Sequence, residues 1–286
     1  MKICNMKKFI LSFCAAIKCL ASTEGVDALD VNPLSVSMLV CNKEMQVEYI
    51  EGDCYKRYSP CSTFKFPLAI MGFNSGILQT EEEPAWVSSP DHEIFLESWR
   101  CLQTPHSWIQ NSVVWYSQEL TQMLGFEKIN EYIHQWNYGN KDVSGTPGMN
   151  DGLTHSWLNS SLQISTKEQI LFIHKFINSE LLISSETWQK IENIMYVGDV
   201  EDWEIFGKTG GSGKYEDEKY PDILLQHGWF IGWCTKEMGG SLMFRSFAIH
   251  IIEQYNEDKK PGIHAKEIMM KKIHELVYVN RMRSKD

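Results

Sequence analysis

The chain is β-prone at both ends and mainly helical between them. Runs over residues 35–40 and 45–50, joined by Asn42-Lys43-Glu44, predict a hairpin. Three further runs, over 204–208, 226–235 and 242–252, predict strands in the last third of the chain. We therefore expect one sheet to which both ends of the chain contribute.

Apolar residues recur at helical spacing through the middle of the chain, in a mainly helical region from about residue 81 to 200. They predict helices over 110–124, 126–136, 167–178 and 186–194, besides one that follows Ser62 and ends at Asn74-Ser75-Gly76, and a last one over 263–278. Turn-forming residues predict loops over 140–155 and 214–221. The predicted fold class is α/β (α+β): an antiparallel sheet built from both chain ends, flanked by helices, with an inserted all-helical lobe.

The first 21 residues are predicted to be a signal peptide. Lys2, Lys7 and Lys8 form a basic start, residues 9–17 form a short apolar stretch, and small residues lie near Ala21-Ser22. A membrane-spanning helix would need about 20 apolar residues, which this segment lacks. We expect an exported protein with one domain over 22–286, its mixed α/β lobe over about 22–60 and 201–286 and its helical lobe over about 61–200.

Charge and cysteine content exclude several classes of partner. Loss of the four lysines of the signal would change the net charge from −10 to −14, which argues against nucleic-acid or anionic-membrane partners. No metal-binding spacing of Cys or His occurs, and the nine histidines are scattered. Five cysteines would remain after cleavage, so at least one thiol is free, and a Cys41–Cys54 bridge stays open.

Ser62 and Lys65 are the first candidate reactive pair. Their spacing of three residues places both side chains on one face of a helix that Ser62 would open, with the backbone N–H groups of the helix start nearby. A lysine activates a serine only if burial lowers its pKa, and Phe64 and Phe66 offer apolar surroundings. The alternative is an ordinary capped helix with a surface lysine.

Three tripeptides could complete a site around this pair. Ser112-Val113-Val114 is predicted early in a helix, Tyr138-Gly139-Asn140 where a helix breaks, and Lys208-Thr209-Gly210 at a strand end. Each alone also fits a structural role in helix packing, in a turn or at an exposed strand end. Gly207 to Lys214 superficially resembles a phosphate loop, but Tyr215 stands where Ser or Thr is required, so nucleotide binding is not predicted.

The four motifs Ser-x-x-Lys, Ser-x-Val, Tyr-Gly-Asn and Lys-Thr-Gly each occur once, in that order. With them, the chain resembles the class D (oxacillinase-type) serine β-lactamases, of the penicillin-recognising serine enzyme family. The resemblance covers essentially the whole chain after the signal, and includes Trp157 and the segment 229–233. A class A enzyme would carry Ser-Asp-Asn and an additional glutamate base instead.

The resemblance implies hydrolysis of the β-lactam amide of penicillins or cephalosporins through an acyl-enzyme on Ser62. Lys65 is implied to be carboxylated by CO₂ or bicarbonate (N6-carboxylysine) and to act as the general base, with no metal and no other cofactor. The resemblance further implies that Ser112 relays a proton, that Val114 lines the pocket of the base, and that the Trp157 indole donates a hydrogen bond to the carbamate. Lys208 and Thr209 are implied to bind the substrate carboxylate, and the N–H groups of Ser62 and Gly211 to form the oxyanion hole. Further substrate contacts are implied for Tyr138, Asn140 and Gly210. We expect a small-molecule β-lactam as partner, no stable membrane association, a monomer or homodimer, and the periplasm of a Gram-negative bacterium as location.

Departures from the family pattern keep other interpretations open. The family's arginine near the start of the last helix is missing, so that His264, Lys266 or no residue replaces it. Cys61 stands directly before the nucleophile, where a small inert residue is usual. Trp157 could instead be a core residue. The alternative functions are a β-lactam sensor domain or a D,D-peptidase-like penicillin-binding protein that acylates without efficient turnover, and a protein with a decayed site.

Overall fold

The computed structural model describes residues 32–283, so the predicted signal peptide over 1–21 lies outside the described residues. Its centre is a six-stranded sheet in the order β2-β1-β8-β7-β6-β5, in which every neighbouring pair is antiparallel. The strands are β1 (Ser35–Asn42), β2 (Val47–Glu51), β5 (Tyr196–Val200), β6 (Trp203–Gly211), β7 (Leu225–Met238) and β8 (Ser241–Gln254). The fold class expected from the sequence, a sheet closed by both chain ends, is therefore confirmed.

Both faces of the sheet are buried. Successive side chains of a strand point to opposite faces, so each strand contributes residues to two cores. On β1, Leu39 and Cys41 join a core that the central helices share, whereas Met38 and Val40 face a second core. The last helix, α8 (Pro261–Arg283), contributes apolar residues to that second core. Helices thus cover both faces, and the last residue of β6, Gly211, lies against Pro261 at the start of α8.

The remaining helices lie between β2 and β5 in the chain. They are α1 (Lys65–Asn74), α2 (Pro105–Asn111), α3 (Val114–Leu124), α4 (Phe126–Gln135), α5 (Gly152–His155), α6 (Thr166–Ile177) and α7 (Ser185–Met195). Helix α1 is buried along nearly its whole length, since nine of its ten residues are buried. The reactive segment therefore leads into a core helix rather than a surface helix.

Several boundaries differ from those predicted. The helix expected over 110–124 is two helices, because Ser112 adopts a left-handed backbone (φ +57°) and ends α2. The lobe expected to be all-helical over 61–200 contains β5 and half of a short strand pair, β3 (Arg57–Tyr58) with β4 (Ile164–Ser165). Residues 79–104 are largely irregular, and α5 lies within the predicted loop 140–155.

Two further predictions from the sequence concern disulfide bonding and membrane insertion. All five cysteines of the described part of the chain are free thiols, so the structure contains no Cys41–Cys54 bridge. Within the same residues, none of the helices combines the length and the apolar character that crossing a bilayer requires.

Candidate active site

Ser62 lies in a 3₁₀ turn, Cys61–Phe64, that leads directly into α1. It therefore precedes the α-helix instead of opening it, but the offset of three residues still brings Ser62 and Lys65 together. The turn is held in place by Thr63, whose Oγ1 donates to the Pro60 carbonyl (2.7 Å) and accepts from Gln169 Nε2 (3.1 Å). These bonds fix the nucleophile segment against α6.

Lys65 is 1% exposed and its Nζ donates to Ser62 Oγ at 3.1 Å. Burial, and secondly the positive charge of Lys208, lower the pKa of Lys65 well below its ordinary value. Phe64 and Phe66, which the sequence suggested as its apolar surroundings, are both buried in the core. This shift favours the neutral form of the amine beside the Ser62 hydroxyl.

A second serine–lysine pair faces the first. Lys208 is 4% exposed, and its Nζ donates to Ser112 Oγ at 3.0 Å and to the Thr209 carbonyl at 3.0 Å. The left-handed backbone of Ser112 turns this hydroxyl out of the helical path, which is why a continuous helix there was a wrong prediction. Burial lowers the pKa of Lys208 to about 7, so this ammonium gives up its proton readily.

Strand β6 brings its last residues against the nucleophile turn. A Cβ atom on Gly210 would lie 2.9 Å from the Pro60 carbonyl oxygen and 3.1 Å from the Thr63 nitrogen. Only glycine lets the strand approach this closely. Thr209, Gly210 and Gly211 consequently line the same cavity as Ser62.

That cavity has a volume of about 800 Å³ and contains Ser62, Ser112 and Val114 in its walls. Ligand sites of this kind are typically concave, mostly apolar and supplied with a few polar groups. Its further walls come from the segment 93–99, from Leu158 and from residues 259–263. The sequence analysis did not predict these walls, because the segment 93–99 has neither helical nor strand periodicity in its apolar residues. The available signal was the apolar pair Phe95 and Leu96 between acidic residues.

Trp157 lies behind the nucleophile and is 1% exposed. Its ring stacks on Phe64, with centroids 5.3 Å apart. Its indole nitrogen is buried without a hydrogen-bond partner among the described residues. A buried donor normally has an acceptor, so this position calls for an acceptor that the protein side chains do not supply.

Tyr138 and Asn140 do not line the cavity, although the sequence suggested that both contact substrate. Tyr138 is 1% exposed and packs between Phe64 and Phe172. Asn140 donates from Nδ2 to the Ser161 carbonyl at 2.7 Å. The geometry thus gives the first a role in core packing and the second a role in tethering the loop that follows it.

Neither His264 nor Lys266, the candidates for the missing arginine, lines the cavity. His264 Nδ1 is 2.7 Å from the carboxylate of the buried Glu253, and the Lys266 ammonium lies over the Phe230 ring. The cations that do line the cavity are the exposed Lys259 and Lys260, directly before α8. Nothing in a linear sequence distinguishes them from other surface lysines.

No group of three metal-ligating side chains occurs among the described residues. The paired serines and lysines instead form a site for acyl transfer: a hydroxyl beside a neutral amine, a second hydroxyl beside an ammonium, and backbone N–H groups at a strand end.

The family model described as the penicillin binding protein transpeptidase domain matches residues 31–274. Beta-lactamase OXA-9 of Klebsiella pneumoniae is 40% identical over 203 residues, which cover 70% of this chain and 74% of that protein. Beta-lactamase OXA-1 of Escherichia coli is 36% identical over 200 residues, covering 70% of this chain and 69% of that protein. The crystal structure of the OXA-427 class D β-lactamase is 35% identical, covers 85% of this chain and 99% of its own, and superposes with a TM-score of 0.78.

Proposed function

The chain belongs to the class D β-lactamases, within the penicillin-binding protein transpeptidase family, and we propose that it opens the β-lactam amide of penicillins and cephalosporins through an acyl-enzyme on Ser62. The observation that carries this assignment to individual residues is the fully buried Lys65 amine, 3.1 Å from the Ser62 hydroxyl. A neutral amine in an apolar site both attracts the hydroxyl proton and reacts with CO₂.

Lys65 and Trp157 are the residues that would hold the carboxylate derived from CO₂. The fit rests on two features: a buried amine kept neutral, and a buried indole N–H that lacks an acceptor. An indole is a donor only, so an anionic oxygen on Nζ satisfies it. Carboxylation of Nζ supplies the general base for both half-reactions.

The other residues act on the substrate. Ser62 Oγ loses its proton to the Lys65 side chain and bonds to the lactam carbonyl carbon, while backbone N–H groups of Ser62 and Gly211 stabilise the oxyanion. The C–N bond then breaks, and Ser112, beside Lys208, passes a proton to the departing ring nitrogen. Water finally cleaves the ester on Ser62, which releases the opened acid and restores the hydroxyl.

The substrate carboxylate is placed by Lys208 and Thr209 and by two lysines in the wall of the cavity. Lys259 and Lys260 line the cavity together with Thr209 and Gly211, and they take the place of the arginine expected near the start of α8. An ammonium lacks the bidentate fork of a guanidinium, so this contact orients the carboxylate less strictly.

Export is part of the proposal. We take residues 1–21 as a signal peptide and 22–286 as the exported β-lactamase domain, located in the periplasm of a Gram-negative bacterium and acting as a monomer or homodimer. The basic and apolar start of the sequence supports this assignment. Amino-terminal sequencing of the protein recovered from a periplasmic extract tests it.

The enzymatic proposal is tested by hydrolysis of a chromogenic cephalosporin by the purified protein, with and without added bicarbonate, alongside Ser62→Ala. We expect sustained turnover that bicarbonate increases and Ser62→Ala abolishes. A single stoichiometric burst, leaving a stable adduct on Ser62, would instead indicate a sensor or a penicillin-binding protein and would overturn efficient turnover.

A further inference from the structure

A buried polar cluster lies behind the nucleophile turn and takes no part in the proposed reaction. Ser59, Cys61, His227 and His250 are each at most 4% exposed. Asn159 closes the cluster toward the surface. Buried polar groups are costly unless each finds a partner, so a cluster of this size requires a stabilising or functional reason.

The two histidines form a directed pair. The Asn159 Oδ1 atom, which only accepts, lies 3.3 Å from His227 Nε2, so Nε2 carries the proton. The opposite nitrogen of the same ring, Nδ1, then accepts from His250 Nε2 at 3.1 Å. Burial lowers the pKa of His227 to about 4 and that of His250 well below its ordinary value. Both rings are therefore neutral, each with its proton on Nε2.

The same cluster clamps the main chain around Trp157. The Ser59 hydroxyl donates to the Trp157 carbonyl at 2.6 Å, and the Cys61 N–H donates to the same oxygen at 3.0 Å. The Asn159 N–H donates to Ser59 Oγ at 2.9 Å. Asn159 also adopts a left-handed backbone (φ +54°), which its side-chain bond to His227 helps to hold.

Ring stacking orients the Trp157 indole. Its stacking on Phe64, with an interplanar angle of 25°, fixes the plane of the ring. Movement within that plane would shift the N–H, and the backbone on either side of Trp157 opposes such movement together with the core side chains around the ring. On the C-terminal side that backbone is held through Asn159.

We propose that His227, acting through Asn159, is a positioning residue that aims the Trp157 indole N–H and thereby sets how readily Lys65 is carboxylated. This inference rests on the proposed function, in which Trp157 donates to the carbamate. In the reaction concerned, the Nζ lone pair forms a bond to the carbon of CO₂ and one N–H proton passes to solvent. The product bears one negative charge, and a well-placed donor shifts this equilibrium toward it.

A merely structural role for His227 would give a different result. Loss of packing would lower the free energy of unfolding but would leave the affinity of Lys65 for CO₂ unchanged in the folded protein. The bicarbonate dependence of carboxylation, measured without substrate, separates the two roles.

The test uses His227→Phe, which keeps a ring and removes both nitrogens, and His227→Gln, whose amide can donate to Asn159 and accept from His250. Asn159→Gly is an independent variant at an exposed position: it tolerates the left-handed backbone and removes the acceptor. It keeps the experiment informative if His227→Phe fails to fold. Carboxylation is measured by ¹³C NMR in a titration with labelled bicarbonate, and turnover is measured at each concentration.

We expect the half-saturating bicarbonate concentration to rise about five- to tenfold in His227→Phe and Asn159→Gly, the loss expected for one hydrogen bond, and to stay near the wild-type value in His227→Gln. Turnover at saturating bicarbonate should stay within about twofold of the wild type, since the reacting groups are intact. Wild-type protein that takes up no label would overturn the proposed base together with this inference. Wild type that takes up label, with His227→Phe and Asn159→Gly titrating identically to it, would overturn the positioning role alone.

Discussion

Gly210→Ala tests whether the close approach of β6 to the nucleophile turn is what assembles the site. The new methyl group would lie 2.9 Å from the Pro60 carbonyl oxygen and 3.1 Å from the Thr63 nitrogen, both backbone atoms that cannot rotate away. Ordinary contacts begin at about 3.5 Å, so the strand or the turn must move by about 0.5 Å. This displacement separates the Gly211 N–H from the Ser62 N–H, the two proposed oxyanion donors.

Both stability and rate should fall. Overpacking of this kind costs about 1–3 kcal/mol. In a domain of this size that corresponds to a decrease of about 3–10 °C in Tm. Misplacing a catalytic group by about 1 Å lowers the rate about 100-fold. A displacement of about 0.5 Å therefore predicts a decrease of about tenfold in kcat/KM. Thermal unfolding followed by circular dichroism and initial rates with a chromogenic cephalosporin measure the two effects.

Gly213→Ala is the matched control, because a Cβ atom there meets no atom within 4 Å. It should leave Tm unchanged or slightly raised, since alanine restricts the unfolded chain. If Gly210→Ala matched this control in both Tm and kcat/KM, the close packing of strand against turn would not be what positions the oxyanion donors.

Three further predictions concern charge and substrate contact. Replacing Lys259 and Lys260 together by alanine should raise KM for penicillins about fivefold with kcat unchanged, whereas arginine at both positions should preserve KM; an unchanged KM in the alanine variant would refute their role. In CO₂-free buffer the free energy of unfolding should rise with pH between about 7, the pKa of buried Lys208, and the ordinary lysine value of about 10.4, because the unfolded chain binds the extra proton in that window. Urea titrations across this range should therefore show a slope that Lys208→Met reduces, and an equal slope in the variant would contradict the assignment. Tyr138→Phe should leave KM within about twofold of the wild type, since Tyr138 packs in the core, and a larger KM change would restore the substrate contact inferred from sequence.

Local patterns predicted the parts of the site that depend on neighbours in the chain. Ser62 and Lys65 meet because an offset of three residues spans about one helical turn, whatever the rest of the fold does. The β-prone runs at both ends predicted five of the six strands of the sheet, whereas β5 lies in the region that was expected to be helical. The reactive pair and the architecture were therefore accessible from the sequence.

Tertiary contacts decided the parts that sequence reasoning missed. Ser112 breaks an apparently continuous helix because its left-handed backbone presents the hydroxyl to Lys208, 96 positions further along the chain. Tyr138 belongs to a motif that resembles a substrate contact, yet aromatic neighbours bury it. Lys259 and Lys260 reach the cavity only because α8 begins beside the end of β6.

The burial of Lys65 also makes the site selective by size for reagents other than substrates. At 1% exposure, its amine is shielded from bulky acylating reagents of the kind used in lysine footprinting, which will label Lys259 and Lys260 first. CO₂ is a much smaller molecule and can reach an amine from which such reagents are excluded. Surface labelling therefore under-reports the Lys65 amine, and ¹³C labelling reads its chemical state directly.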